Sequence, residues 1–145
     1  MGVNDLNFPT NVRSDEEAIQ YLGLMVQALK NQTFTPLTGA SGTFTAAQMV
    51  GGVIEVSGGS TYTATTDTAA AIIARMQALD ANAGIGSTAA FAVVNDNSGL
   101  LTYVAGANVT IIGGLPTNLT QSTATVRKFQ IKILTLTTVS LTVVG

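Results

Sequence analysis

The groups in this chain that could move protons are eight carboxylates, Asp5, Asp15, Glu16, Glu17, Glu55, Asp67, Asp80 and Asp96, together with Tyr and Lys side chains; there is no His and no Cys. That inventory excludes Cys/His zinc sites, disulfide scaffolds, thiol nucleophiles and a Ser-His-Asp triad within the chain. Most of the carboxylates have a local structural task. Asp15, Glu16 and Glu17 open a helix, Asp67 can cap a second one, and Asp96 falls in an Asx-type turn. Glu55 is the exception, set between Ile54 and Val56 in a strand-like run. With no second carboxylate predictably opposite it, a solvent-facing strand position is expected rather than acid or base catalysis. The reading is a non-enzymatic protein with no catalytic residue, no cofactor and no metal.

Other motifs dissolve on inspection of their spacing. Asn95-Asp96-Asn97-Ser98-Gly99 lacks the alternating oxygen ligands and terminal Glu of a calcium loop, and reads as a hairpin turn. Gly51-Gly52, Gly58-Gly59 and Gly84-Ile85-Gly86 do not sit between a strand and a helix with a following Lys-Ser/Thr, so they are not phosphate cradles. Asn31-Gln32-Thr33, Asn108-Val109-Thr110 and Asn118-Leu119-Thr120 match the glycosylation acceptor pattern, as chance allows in a Thr-rich chain. Arg127, Lys128 and Lys132 are half of the six basic residues and lie in one predicted strand, where a solvated face is the default and docking to an acidic partner the sharper alternative.

The elements that position these residues divide the chain into 1–41, an N-terminal arm, helix and linker, and 42–145, a β-sandwich domain. Its 145 residues suit one main core. Only 10% of residues are charged, against roughly 25% in ordinary soluble domains. Threonine hydroxyls take their place, giving a neutral surface prone to association. The net charge of -2 points to no nucleic-acid partner, and no apolar run is long enough to imply a membrane partner. The first residues show no basic region followed by an apolar run, so synthesis in the cytoplasm is expected.

Ser14 to Glu17 form a capping box, and Ala18, Ile19, Leu22, Met25, Val26 and Leu29 make an apolar stripe. Tyr21, Leu24 and Ala28 widen it to an arc of roughly 220°, more than one packing surface covers. These three are therefore candidate interface residues, and Met1 to Gln32 is expected to be the assembly element, with Lys128 and Lys132 as the second candidate surface. From Gly42 onward, short β-prone runs alternate with turn residues, as in a sandwich or barrel. Phe129, Ile131 and Ile133 alternate with polar residues, and the phase slips near Leu134 before resuming at Val139, Leu141 and Val143, which predicts a bulge or turn between 134 and 138. One helix, Thr68 to Ala81, interrupts the strands with Ala69, Ile72, Ile73, Met76 and Leu79 on one face. The expected core is Val53, Val56, Phe91, Val93, Ile111, Phe129, Ile131, Leu141 and Val143, plugged by Ile72 and Met76. No internal repeat is apparent.

Four segments together carry a family resemblance: Thr43 to Ile54, Tyr62 to Ile72, Phe91 to Asn95 with Ser98-Gly99, and Ala105 to Thr110. They resemble a β-rich module of tailed-bacteriophage virion proteins, found in capsid decoration proteins and in head or tail fibres. The resemblance spans about Thr43 to Gly145. It implies a non-enzymatic structural part built on a jelly-roll-like β-sandwich, commonly a homotrimer, placed on the capsid surface of the virion in contact with the major capsid protein or another virion protein. A decoration or cement protein is the leading expectation. A fibre component, or a carbohydrate-binding β-sandwich module with a shallow site lined by Tyr62, Tyr103 and Asn side chains, are the alternatives.

Overall fold

The computed structural model describes residues 33–113 and 119–144, and the expectations for the N-terminal helix, Tyr21, Leu24 and Ala28 lie outside them. The described body is mainly β, with two sheets and two helices. In chain order the elements are β1 (Phe34–Thr38), β2 (Ser41–Phe44), α1 (Ala46–Met49), β3 (Val53–Ser57), β4 (Tyr62–Thr66) and α2 (Ala69–Leu79). They continue as β5 (Thr88–Asp96), β6 (Leu101–Val104), β7 (Val109–Ile112), β8 (Leu119–Gln121), β9 (Thr125–Thr135) and β10 (Thr138–Val143). One sheet has the order β1-β3-β5-β9-β10-β7 and the other β2-β4-β6-β8.

From β1 to β9, successive strands alternate between the sheets. β1–β2, β3–β4 and β5–β6 are therefore three strand–arc–strand coils laid on one another in parallel register, Phe34 beside Val53 beside Ala92 in the first sheet and Ser41 beside Thr63 beside Thr102 in the second. The expected jelly roll is antiparallel; here five of the eight ladders are parallel. The reason lies in the connections, which carry the chain from one sheet to the other and back in the same sense at each coil from β1 to β6. Asn95 to Gly99 joins β5 of one sheet to β6 of the other, an arc rather than the hairpin its composition suggested. The stacking is also a structural repeat, its period hidden because the return from β2 to β3 uses the one-turn α1 while that from β4 to β5 uses the longer α2.

The arcs bond to each other as well as to their own strands. Gly59 N–H donates to Asn97 Oδ1 (3.0 Å), Ser98 N–H to the Gly59 carbonyl (3.2 Å) and Thr63 N–H to the Ala40 carbonyl (2.9 Å). The approach at Gly99 is close enough that a Cβ there would fall 1.6 Å from the Ser60 carbonyl oxygen, which only glycine permits. Within the arc it is Asn95, not Asp96, that makes the Asx bond, accepting from Asn97 N–H at 3.2 Å. Asp96 is exposed.

The segment read as a linker carries β1 instead. Val53 N–H donates to the Thr33 carbonyl at 2.7 Å, so by alternation Thr35 and Leu37 turn their backbone groups toward β3 and Pro36 turns its own to the open edge. A proline is tolerated in a strand only there, where its missing N–H breaks no ladder bond, and it blunts that edge against pairing with another strand.

At the opposite ends of the strands the returns are capped by one carboxylate. Thr45 and Gln48 form a capping box on α1, and Asp67 Oδ2 accepts from Ala46 N–H (2.8 Å) while its Oδ1 accepts from Thr68 N–H (2.8 Å). Thr68, rather than Asp67, is the N-cap of α2, accepting from Ala71 N–H at 3.2 Å. Bonds to a charged acceptor contribute about 1.5–3 kcal/mol, so Asp67→Ala is expected to lower urea-unfolding stability by that amount and Asp67→Asn by less. Equal midpoints for all three proteins would show that water replaces the carboxylate.

The sheets face each other across one core. Phe91 stacks on Phe129 (centroids 4.9 Å apart, 10° between planes), and Tyr103 of the second sheet meets Phe129 edge-on at 5.0 Å. Val56, Phe91, Val93, Phe129, Ile131, Leu141, Ile72 and Met76 are buried as expected; Ile111 and Val143 are partly buried against the core. Val53 is a correction: it faces outward, since Ile54 and Val56 take the inner face of β3. The phase slip is where the sequence placed it, as an irregularity in the β9–β10 register between Thr138 and Val139.

Candidate interaction surface

The outer face of the six-stranded sheet is where the unexplained apolar residues collect. β5 reads Thr-Ala-Ala-Phe-Ala-Val-Val-Asn-Asp, apolar on both phases of the strand repeat, a composition typical of sheets covered on both faces. Its inward phase is Phe91, Val93 and Asn95, and its outward phase includes Ala92 and Val94, both only half-buried. Register then assembles two rows across the face. The first is Phe34, Val53, Ala92 and Lys128, extended by Val144, whose N–H donates to the Lys128 carbonyl at 3.0 Å. Beside it runs Pro36, Glu55, Val94 and Val126. Phe34, Val126 and Val144 are 62%, 56% and 57% exposed, high values for large apolar side chains on one sheet face.

Of the residues singled out in the sequence, Lys128 and Lys132 are both exposed on β9, on this outer face, with Lys128 in the apolar rows and Lys132 opposite Thr88. Arg127 does not join them. It sits on the other phase of β9 and its Nη1 donates to the Thr120 carbonyl at 2.9 Å, so the expected basic face is divided between two sides of the strand. Glu55 lies on the outer face as expected, half-buried within the second row.

Polar chemistry inside the body is structural. Tyr103 Oη donates to Gln121 Oε1, and Gln121 Nε2 donates to the carbonyls of Val93 (3.1 Å) and Thr125 (2.8 Å), linking the two sheets through the core. Asn95 Nδ2 lies 3.1 Å from the carbonyls of Gly99, Gln121 and Ser122. Burial raises the Tyr103 phenol far above its ordinary pKa, an effect that nearby Arg127 only partly offsets, and burial also raises that of Tyr62. With both rings buried, Tyr62 and Tyr103 do not line a shallow sugar site.

A cavity of about 200 Å³ opens beside the C-terminal end of α2, walled mostly by Val50, Met76, Leu79, Ala83 and Ala89, with Asp80 at its lining. Asp80 and the other described carboxylates, Glu55, Asp67 and Asp96, stand on separate elements. Among the described residues no group of three or more His, Cys, Asp or Glu could hold a metal ion, and no helix is long and apolar enough to cross a membrane. Comparison with family models, curated proteins and solved structures gave no match.

Proposed function

We propose that this chain is a non-enzymatic virion structural protein, a capsid decoration or cement protein that binds and stabilises a phage head as a homo-oligomer, with a trimer as the expected state. The observation that carries the reading is the wide apolar outer face of the six-stranded sheet, held rigidly on a β scaffold with sparse charge. A surface of that kind suits a permanent contact in an assembly, where apolar residues form the centre and a few charges set register. The resemblance of Thr43 to Gly145 to phage virion modules supplies the class of assembly. That resemblance is carried by the four sequence segments between Thr43 and Thr110, not by jelly-roll strand order. The stacked coils β1 to β6 favour a second reading, a head-fibre or tail-fibre component, because such stacking is suited to elongated parts.

Mixing the purified full chain with expanded capsids of the virus that encodes it is the direct test. Saturable co-sedimentation and a raised capsid melting temperature are expected for a decoration protein. Absence of binding at micromolar concentration, with the chain found instead at a fibre or tail in labelled virions, would favour the second reading.

A further inference from the structure

The two outward rows on the six-stranded sheet hold seven apolar residues, one acid and one base. The charges are not adjacent: Glu55 is on β3 and Lys128 on β9, with Ala92 and Val94 of β5 between them. Resting on the oligomeric reading above, we propose that this face is covered by the same face of further copies of this chain, with Glu55 of one copy against Lys128 of the next.

Several features select a copy over another occupant. Whatever covers the face must be apolar and must bring one base to Glu55 and one acid to Lys128, and copies of this chain on its two sides bring both, one supplying Lys128 and the other Glu55. The acid and base lie on opposite lateral halves, so the β3 side of one copy meets the β9 side of its neighbour, the head-to-tail relation that closes into a ring. Small residues, Ala92 above all, occupy the central strand, where the faces of a ring approach most closely. Lateral growth through the β1 edge is obstructed by Pro36, which leaves packing through the face as the route open on that side. The half-buried Val53 and Val94 then become the dry centre, and Phe34, Val126 and Val144 lose their exposure.

The mass of the full-length protein and its variants in solution, by sedimentation at micromolar concentration, tests this directly. Wild type should sediment as a small closed oligomer and Val94→Lys as a single chain, with unchanged far-ultraviolet circular dichroism. Glu55→Lys and Lys128→Glu should each weaken association about tenfold or more, and the double reversal Glu55→Lys/Lys128→Glu should recover it, which a contact with any other protein or segment would not do. A monomeric wild type, an oligomer whose mass ignores Val94→Lys, or a double reversal no better than the single ones overturns the proposal. Capsid co-sedimentation of the same variants separates this inference from the decoration reading. A failed face leaves capsid binding with a mass that ignores the variants, whereas a failed decoration reading leaves a face-dependent oligomer that binds no capsid.

Discussion

Phe129→Ala should lower the stability of the β body by about 3–5 kcal/mol, the range for deleting a fully buried aromatic ring. The side chain has no exposed surface, and it is the point at which the sheets meet: Phe91 stacks on one side of it and Tyr103 of the opposite sheet meets it edge-on. Removal therefore takes away its own burial and the aromatic contacts of two neighbours, while the β5–β9 ladder on either side limits how far the cavity can collapse. Small domains hold only about 5–15 kcal/mol in total, so the variant should unfold at a much lower urea concentration with a similar slope. Phe129→Leu, which leaves most of the volume filled, should fall between. A midpoint shift below about 1 kcal/mol would mean that the sheets do not pack through this residue.

Gln121→Leu should also be strongly destabilising, for a different reason. Leucine fills the space but leaves the buried Tyr103 hydroxyl without its partner, at about 1–3 kcal/mol, and strips the side-chain donor from the Val93 and Thr125 carbonyls, which keep only their places in the β5–β9 ladder. Adding Tyr103→Phe removes the orphaned hydroxyl, so the double variant should be more stable than Gln121→Leu alone, a sign reversal that a loss of volume would not produce. The same burial fixes the alkaline behaviour of the fold. Tyr103 keeps its proton in the folded chain well above 10.0, its ordinary value. In the unfolded chain it ionises near that value, so the unfolded state binds fewer protons and stability falls as pH rises past about 10. Urea titrations at pH 8 and pH 10.5 should show that loss in wild type and less of it in the Tyr103→Phe background.

What the sequence determined by itself is the local phase of the chain. Alternation in Phe129, Ile131 and Ile133, the slip before Val139, and the apolar stripe of Ile72 and Met76 each follow from side-chain periodicity, and the structure keeps them. The Thr45–Gln48 capping box carries a Thr-x-x-Gln signal that went unread, because its single turn of helix is too short to show periodicity. Strand partnership was not legible. Gly, Ser and Asn serve an arc between sheets as readily as a hairpin within one, and the choice between parallel coils and antiparallel pairs is decided by contacts dozens of residues apart, such as Val53 with Ala92 or Tyr62 with Leu101. β1 escaped notice because Pro36 argues against a strand until its N atom is known to face an open edge. The apolar outer face escaped for the same reason: Phe34, Val94 and Val126 are unremarkable one at a time, and only the register of β1, β3, β5 and β9 brings them together beside Glu55 and Lys128. Periodicity fixes which way a side chain points relative to its own strand, whereas the ladder, a non-local choice, decides what it points with.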